Sequence, residues 1–446
     1  MINKPKDNWI KQAFKNATIV NVFIVGFATL IVKSLGFAKE IVIADNYGLS
    51  ELLDTFYIAI LIPSFIDNVF LGGYKSVFIP NYVRELKTNK NIGAFQSTSF
   101  MVTLGSAILF CLLSILATDV YLEFLFTGHE PKFYELVKTQ FYYILPSILF
   151  WGLSSLLSGI LNIDNEFKLS TLGYVFTPIA IMICVIFFKD ELGIIVLAFG
   201  TLVGAILSFA FLFLICLRRK LIHIRKPNFK SSNTIEMFKQ IPAKLSANII
   251  TGLNDMVDQY FAAKLAIGSI AALNYGIKIP MFSIGMVTIA LGNVLLPYFS
   301  KKAIENMKET FQQLQKILKF IIISCSVVAL ILILLSPTLI SIIFEHNAFT
   351  ENDTKIVSRI QQMYLIQVPV YVISIILVRF LESINKNRFM VYVAIICLSL
   401  NIALNYILIK TLGVYGLALA TSIVAIVNSI LLFIYVKRIN KKMTNI

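Results

Sequence analysis

Charged side chains stand inside or at the edges of long apolar runs in this 446-residue sequence, and they are the residues with chemistry to offer. They are Lys33, Lys39, Glu40, Asp54, Asp67, Lys75, Asp255, Asp258, Lys278, Arg379 and Glu382. A charge in hydrocarbon is expensive, so such residues face a bundle interior or a water-filled cavity. Asp67, Asp258 and Lys278 sit deepest and are expected to line a cavity. Lys33, Lys39, Arg379 and Glu382 lie nearer span ends, where a long side chain can equally reach the interface. The stretch FYIAILIPSFIDNVFLGGYKSVFIP (56–80) surrounds Asp67 with Pro63, Gly72, Gly73 and Lys75. Pro63 removes a helical hydrogen bond and bends the helix. The two glycines allow a close approach or a second bend. Asp67 and Lys75 must turn inward, because lipid offers them no partner. Such a helix suits a cavity wall or a gate; pairing of the two charges with neighbouring helices is the plainer alternative.

Other chemistries find no support. The sequence holds no Walker loop, no ligand cluster and no Ser–His–Asp or Cys–His arrangement. His129, His223 and His346 are scattered, and Cys111, Cys184, Cys216, Cys325 and Cys397 stand singly within apolar spans, without disulfide or metal spacing. An enzyme is not expected. No cofactor is expected beyond a coupling ion, sodium or a proton. Movement of a cargo would be driven by an ion gradient, the membrane potential or the cargo's own gradient.

The elements that position these residues are membrane helices. The chain is 58% hydrophobic and 14% charged, with a mean hydropathy of +0.81, whereas a soluble chain is about a quarter charged. Apolar stretches of spanning length, about 20 residues each, fall at 18–37, 54–82, 93–117, 136–161, 168–188, 192–217, 240–264, 270–298, 315–344, 357–383, 386–410 and 413–436. The expected fold class is an all-α polytopic membrane protein of about twelve transmembrane helices. The net charge of +15 follows topology: basic residues gather before the first span and after the second, sixth, eighth and last, as with Arg84 and Lys87 or Arg218 and Arg219. Positive loops stay cytoplasmic, so both termini are expected there, and nucleic-acid binding is not. The first twenty residues lack a cleavable signal pattern; Trp9, Ile10 and Phe14 suit a short amphipathic stretch on the inner membrane surface.

An internal repeat organises the spans. Pro63 and Pro80 are matched by Pro280 and Pro297, each displaced by 217 positions, and LGIIVLAFGTLVGAI (192–206) aligns without gaps on LGVYGLALATSIVAI (412–426). NEF at 165–167 matches NRF at 387–389. The chain therefore reads as two six-helix lobes, 1–225 and 226–446, joined by the basic segment 218–239. Parallel repeats of this kind are a transporter architecture, with the site between the lobes and access alternating as one rocks against the other. Pro63, Gly72, Gly73 and Pro280 are the expected hinge or gate residues.

The sequence also resembles a known family. GFAKEIVIADNYGLSELLDTFYIAILIP (36–63) is similar to the first loop and second helix of the MurJ/MviN lipid II flippases, in the multidrug/oligosaccharidyl-lipid/polysaccharide exporter superfamily. The likeness continues through SGILNIDNEFKLS (158–170), GSIAALNYGIKIPMFSIGMVTIALGNVLLPYFS (268–300), IIFEHNAFTEND (342–353) and SLNIALNYILIKTLGVYGLALATS (399–422). In that family, cavity arginines meet the diphosphate of a lipid-linked sugar. The resemblance places Lys33, Lys39 and Lys278 at arginine positions and keeps the helix-two aspartate as Asp54. The family's arginine pair after Pro-Asn is Asp67 and Asn68 here, which implies a changed headgroup contact. The family also carries two more helices than the twelve spans read here. Some relatives hold sodium in the second lobe, and Asp258 (or Asp255), Asn401, Asn405 and Thr421 fall at matching positions; hydrogen bonding between helices is the alternative role for these four.

The resemblance implies a multi-pass flippase of the bacterial cytoplasmic membrane that moves a polyprenyl-diphosphate-linked glycan by alternating access. Lys33, Lys39, Asp54, Asp67 and Lys278 would form the substrate cavity. Membrane lipids and cell-envelope synthesis proteins are the other expected partners. Lipid II is the default cargo, and an O-antigen or capsule unit is an alternative. A drug/cation antiporter of the same superfamily and a non-transporting scaffold are further alternatives.

Overall fold

The computed structural model describes residues 17–88, 91–384, 386 and 388–444, with backbone alone for 17–24, 247, 251, 255, 289–294, 297, 304 and 442–444. The amphipathic stretch at Trp9–Phe14 and the side chains of Asp255 and Pro297 lie outside the described residues. Among the described residues, twelve long helical segments follow one another: α1 Ala17–Tyr47, α2 Glu51–Thr88, α3 Ile92–Leu125, α4 Pro131–Ile163, α5 Phe167–Phe187 and α6 Lys189–Arg218, then α7 Ser232–Ala262. Next come α8 in two pieces, Ser269–Gly276 and Lys278–Glu305, then α9 Met307–Phe344, α10 Glu351–Ser383, α11 Arg388–Leu412 and α12 Val414–Thr444. No strand occurs among the described residues.

Ten of these segments are long and apolar enough to cross a membrane, among the described residues. The other two, α1 and α7, open the two halves of the chain and are 31 residues each. Both carry polar side chains described below. The helices at the other extreme are α3 and α9. Leu116 and Phe124 on α3 are 79% and 78% exposed, and Leu334 on α9 is 71% exposed. An apolar surface of that kind is stable only against hydrocarbon.

Proline chemistry explains one of two helix irregularities. The α8 break at Ile277 lies just after Gly276, the residue four before Pro280, whose carbonyl loses its helical donor when position 280 has no N–H. In α2 the helix runs on through Pro63. The distortion comes four residues later, as a five-residue π-helical turn, Asp67–Leu71, in which Gly72 N–H reaches back to Asp67 O. One residue is thereby added to the turn. Such π-bulges cluster at functional sites.

The two halves meet through apolar packing near each end, with cavities between. At the end holding the α1–α2 connection, Ile43, Phe56 and Phe141 join one cluster with Tyr275, Phe344 and Phe349. At the basic end, holding the α2–α3 and α6–α7 connections, Phe78, Tyr82 and Phe95 pack with Met237 of α7. The connection between the halves, residues 219–231, is docked along α3. His223 N–H donates to Gln96 Oε1 at 2.7 Å and Asn228 N–H to Thr98 Oγ1 at 2.9 Å.

Candidate functional site

Lys33, Lys39 and Lys278 come together. All three line one cavity of about 640 Å³ between α1, α5 and α8, where Glu40, Tyr174 and Phe282 also face it. Helix rise, 1.5 Å per residue, sets Lys39 roughly 12 Å and Lys33 roughly 21 Å from the Tyr47 end of α1, well inside the helix. The organising group is Glu40, only 4% exposed. Its Oε1 accepts from Lys39 Nζ at 2.8 Å and from Lys278 Nζ at 2.9 Å. Its Oε2 accepts from Tyr57 OH at 3.3 Å. Charge-assisted bonds of this kind fix both ammonium groups at the cavity wall while leaving them about a quarter exposed or less, 20% and 26%. Lys33 has no ion-pair partner among the described residues. Three ammonium groups against one carboxylate leave the cavity electropositive, suited to a polyanion.

Glu40 is the residue that spacing alone passed over as a site. It stood among the membrane charges and beside Lys39 in GFAKE, so the signal was present. What was missing was Lys278, which reaches it from 238 positions away. Arg379 and Glu382 form an ion pair of 2.8 Å. They line a further cavity of about 650 Å³ that shares Thr29, Lys33 and Met281 with the lysine cavity.

Asp54 lies elsewhere, which corrects its expected place in the cavity wall. It is 4% exposed, and its carboxylate accepts from Gly268 N–H at 2.6 Å and Ala271 N–H at 2.8 Å. These are free donors at the first turn of α8, where the helix dipole also favours an anion. Gly268 serves there because its φ is +87° and a Cβ would stand 2.8 Å from Leu49 O. Asp54 therefore joins α2 to α8 across the two halves. Near it, Asn347 Nδ2 donates to Asp45 Oδ1 at 2.6 Å and Ala348 N–H to Asp45 O at 3.0 Å.

Asp67 and Gly72 face neither the lysine cluster nor Asp54. With Lys75 they line a separate cavity of about 300 Å³ inside the first half, adjoining the lysine cavity through Tyr174 and Thr177. Gly73 belongs to a seam with α7: a Cβ there would stand 2.8 Å from Leu245 Cδ2. Gly252 of α7 does the reciprocal service, with its absent Cβ 2.9 Å from the Phe65 ring. Asn248 Nδ2 donates to Asn68 O at 3.3 Å and Val69 O at 3.4 Å, carbonyls of the π-helical turn. Towards the basic end the seam continues with Asn81 Nδ2 to Gln240 Oε1 at 3.0 Å, Asn233 Nδ2 to Glu85 Oε2 at 2.9 Å, and the ion pair Arg84–Glu236. Pro280 is buried beside the α8 break that sets Lys278 at the start of a helix segment.

Asp258, Asn401, Asn405 and Thr421 also meet, from α7, α11 and α12. Asp258 Oδ1 accepts from Asn405 Nδ2 at 2.7 Å and Asn401 Nδ2 at 3.2 Å, and Oδ2 accepts from Thr421 Oγ1 at 3.1 Å. Asn405 Oδ1 is buried with no hydrogen-bond partner. A carboxylate, a hydroxyl and two amides whose oxygens can turn inward make a hard-oxygen set with one negative charge. That set fits a monovalent cation, and the orphaned amide oxygen is the acceptor such an ion would use.

The arrangement can be set beside known proteins. A family model described as lipid II flippase MurJ matches residues 43–445. The probable lipid II flippase MurJ of Buchnera aphidicola subsp. Schizaphis graminum is 28% identical over 418 residues, covering 92% of this chain and 81% of its own length. The lipid II flippase MurJ of Burkholderia cenocepacia is 25% identical over 444 residues, covering 92% and 82%. A lipid II flippase MurJ solved in an inward closed conformation superposes with a TM-score of 0.80 at 28% identity, covering 93% of this chain and 87% of that one. An inward-facing multidrug resistance transporter of the MATE family superposes with a TM-score of 0.79 over 94% of this chain, a likeness of fold alone at 13% identity. With the family model running through eleven of the twelve helices and into the first, this chain belongs to the lipid II flippase MurJ family.

Proposed function

We propose that this chain moves lipid II, a polyprenyl-diphosphate-linked saccharide, across the bacterial cytoplasmic membrane by alternating access of lobes 1–225 and 226–446. One observation carries the reading: lysines from both halves, Lys33, Lys39 and Lys278, face one intramembrane cavity around the single carboxylate of Glu40. A diphosphate offers several acceptor oxygens and negative charge, and ammonium groups bind phosphate as point charges without the planar fork of arginine. On entry the diphosphate takes over the Lys39 and Lys278 donors from Glu40. The electropositive wall argues against a drug/cation antiporter, whose cavity needs the opposite sign. The basic end, with Arg84, Arg218 and Arg219, faces the cytoplasm in this reading. The α2–α7 seam is then the inner gate, and Asp54 with the α8 N-terminus belongs to the outer one. The Asp258 site holds the coupling cation, sodium, which binds to the second lobe and biases its position.

A second cargo, another polyprenyl-linked glycan such as an O-antigen or capsule unit, is favoured by Asp67 and Asn68 standing where the family resemblance implies arginines. Complementation separates the two. The resident lipid II flippase of a bacterial host is shut off and this chain is expressed, with Lys278→Ala as control. Survival that requires Lys278 supports lipid II as cargo. Lysis despite verified membrane insertion moves the assignment to the second cargo.

A further inference from the structure

We propose that the small cavity inside the first lobe is a binding site for the sugar ring attached to the diphosphate, an uncharged polyhydroxylated ring such as an N-acetylhexosamine. The inference rests on the flippase reading and deepens it. The cavity, about 300 Å³, is lined by Asp67, Lys75, Trp151, Ser154, Ser158 and Tyr174. Its charged groups are one carboxylate and one ammonium. A lone cation would meet Lys75, and a lone anion would meet Asp67. A neutral ring with hydroxyls that both donate and accept satisfies the two together.

The hydrogen-bonding capacity is unspent. Lys75 Nζ donates to Ser158 Oγ at 3.1 Å and keeps further donors. No side chain among the described residues donates to the Asp67 carboxylate. Ser154 Oγ is buried and has no hydrogen-bond partner. Trp151 and Tyr174 supply aromatic faces for the apolar face of a sugar ring, and Tyr174 is 58% exposed. The volume lies at the lower end of the roughly 300–1,000 Å³ usual for small-molecule sites, so it suits one ring. Position agrees with chemistry: Tyr174 and Thr177 border both this cavity and the lysine cavity, and the first sugar is bonded directly to the diphosphate.

The test compares two lipids on the purified full chain in nanodiscs: a bare polyprenyl diphosphate, and the same lipid carrying one N-acetylhexosamine. Dissociation constants are measured for the unaltered protein and for Asp67→Asn, Lys75→Met and Lys278→Ala, with thermal unfolding as a check on folding. Loss of one charge-assisted hydrogen bond predicts that Asp67→Asn and Lys75→Met weaken the sugar-bearing lipid by about tenfold. Their affinity for the bare lipid should stay unchanged. Equal weakening of both lipids, or weakening of neither, overturns the sugar site. Lys278→Ala should weaken both lipids. If it weakens neither, the diphosphate reading fails, whatever Asp67→Asn does.

Discussion

Replacing Asp54 by asparagine tests the contact that ties α2 to the start of α8. The side chain keeps its shape but only one oxygen. One of the two backbone donors, Gly268 N–H or Ala271 N–H, then faces an amide N–H₂ in place of the carboxylate oxygens now 2.6 and 2.8 Å away. Losing one hydrogen bond to a charged group costs about 1.5–3 kcal/mol, and removing an anion from a helix N-terminus costs about 0.3–1 kcal/mol more. Asp54 is 4% exposed, so water does not substitute. The sum, about 2–4 kcal/mol, is a factor of roughly 30 to 1,000 in the equilibrium between latched and open contact. Hydrogen–deuterium exchange reads this directly, because the affected amides are the reporters. Peptides spanning 264–275 should exchange faster by that factor in Asp54→Asn, while peptides from α11 and the α2–α7 seam keep their protection. Unchanged exchange at 264–275 refutes the latch. Faster exchange spread evenly over the chain would show that Asp54 supports the whole fold and not one contact between halves.

Other outcomes follow from the same geometry. Glu40→Gln leaves Lys39 and Lys278 beside each other without their counter-charge, so stability should fall by about 1–3 kcal/mol; added inorganic diphosphate should restore part of the lost unfolding temperature. Gly73→Ala places a Cβ 2.8 Å from Leu245 Cδ2 and should destabilise the α2–α7 seam by about 1–3 kcal/mol. Gly72→Ala, whose Cβ would meet nothing nearer than Asp67 O at 3.4 Å, should lower the unfolding temperature far less. Asp258→Asn should abolish any rise in unfolding temperature on exchanging potassium for sodium, while the unaltered chain shows that rise. The Arg84–Glu236 pair is half exposed on both sides, so Arg84→Ala should shift the unfolding temperature little.

Several of these residues were legible in sequence for identifiable reasons. Lys33, Lys39 and Lys278 stood out because a charge within an apolar run needs a polar surrounding, and they share one cavity. Pro280 acts where its missing N–H says it must, at the carbonyl four residues earlier. Pro63 does not break α2, and the irregular turn at Asp67–Leu71 depends on a neighbour, since Asn248 donates to Asn68 and Val69 carbonyls there. Gly72 and Gly73 read alike in sequence. Only Gly73 abuts α7. Asp54 and Asp67 read alike as well, as carboxylates in one helix, yet one caps α8 and the other faces a cavity.

By itself, then, the sequence determined the elements: apolar runs of spanning length become helices because the bilayer leaves the backbone no other partner, and basic loops mark one side of the membrane. The repeat is the basis for proposing that those helices form two halves. Only the tertiary structure decided which charges meet. Lys278 reaches Glu40 across 238 positions, and the family resemblance, not periodicity, grouped Asp258 with the Asn401, Asn405 and Thr421 side chains that now donate to it. Those partnerships depend on helix rotation and depth, which periodicity in a uniformly apolar background does not encode. A hydrophobic surface packs equally well in many rotations, whereas a buried charge is tolerable only in the one that brings its partner.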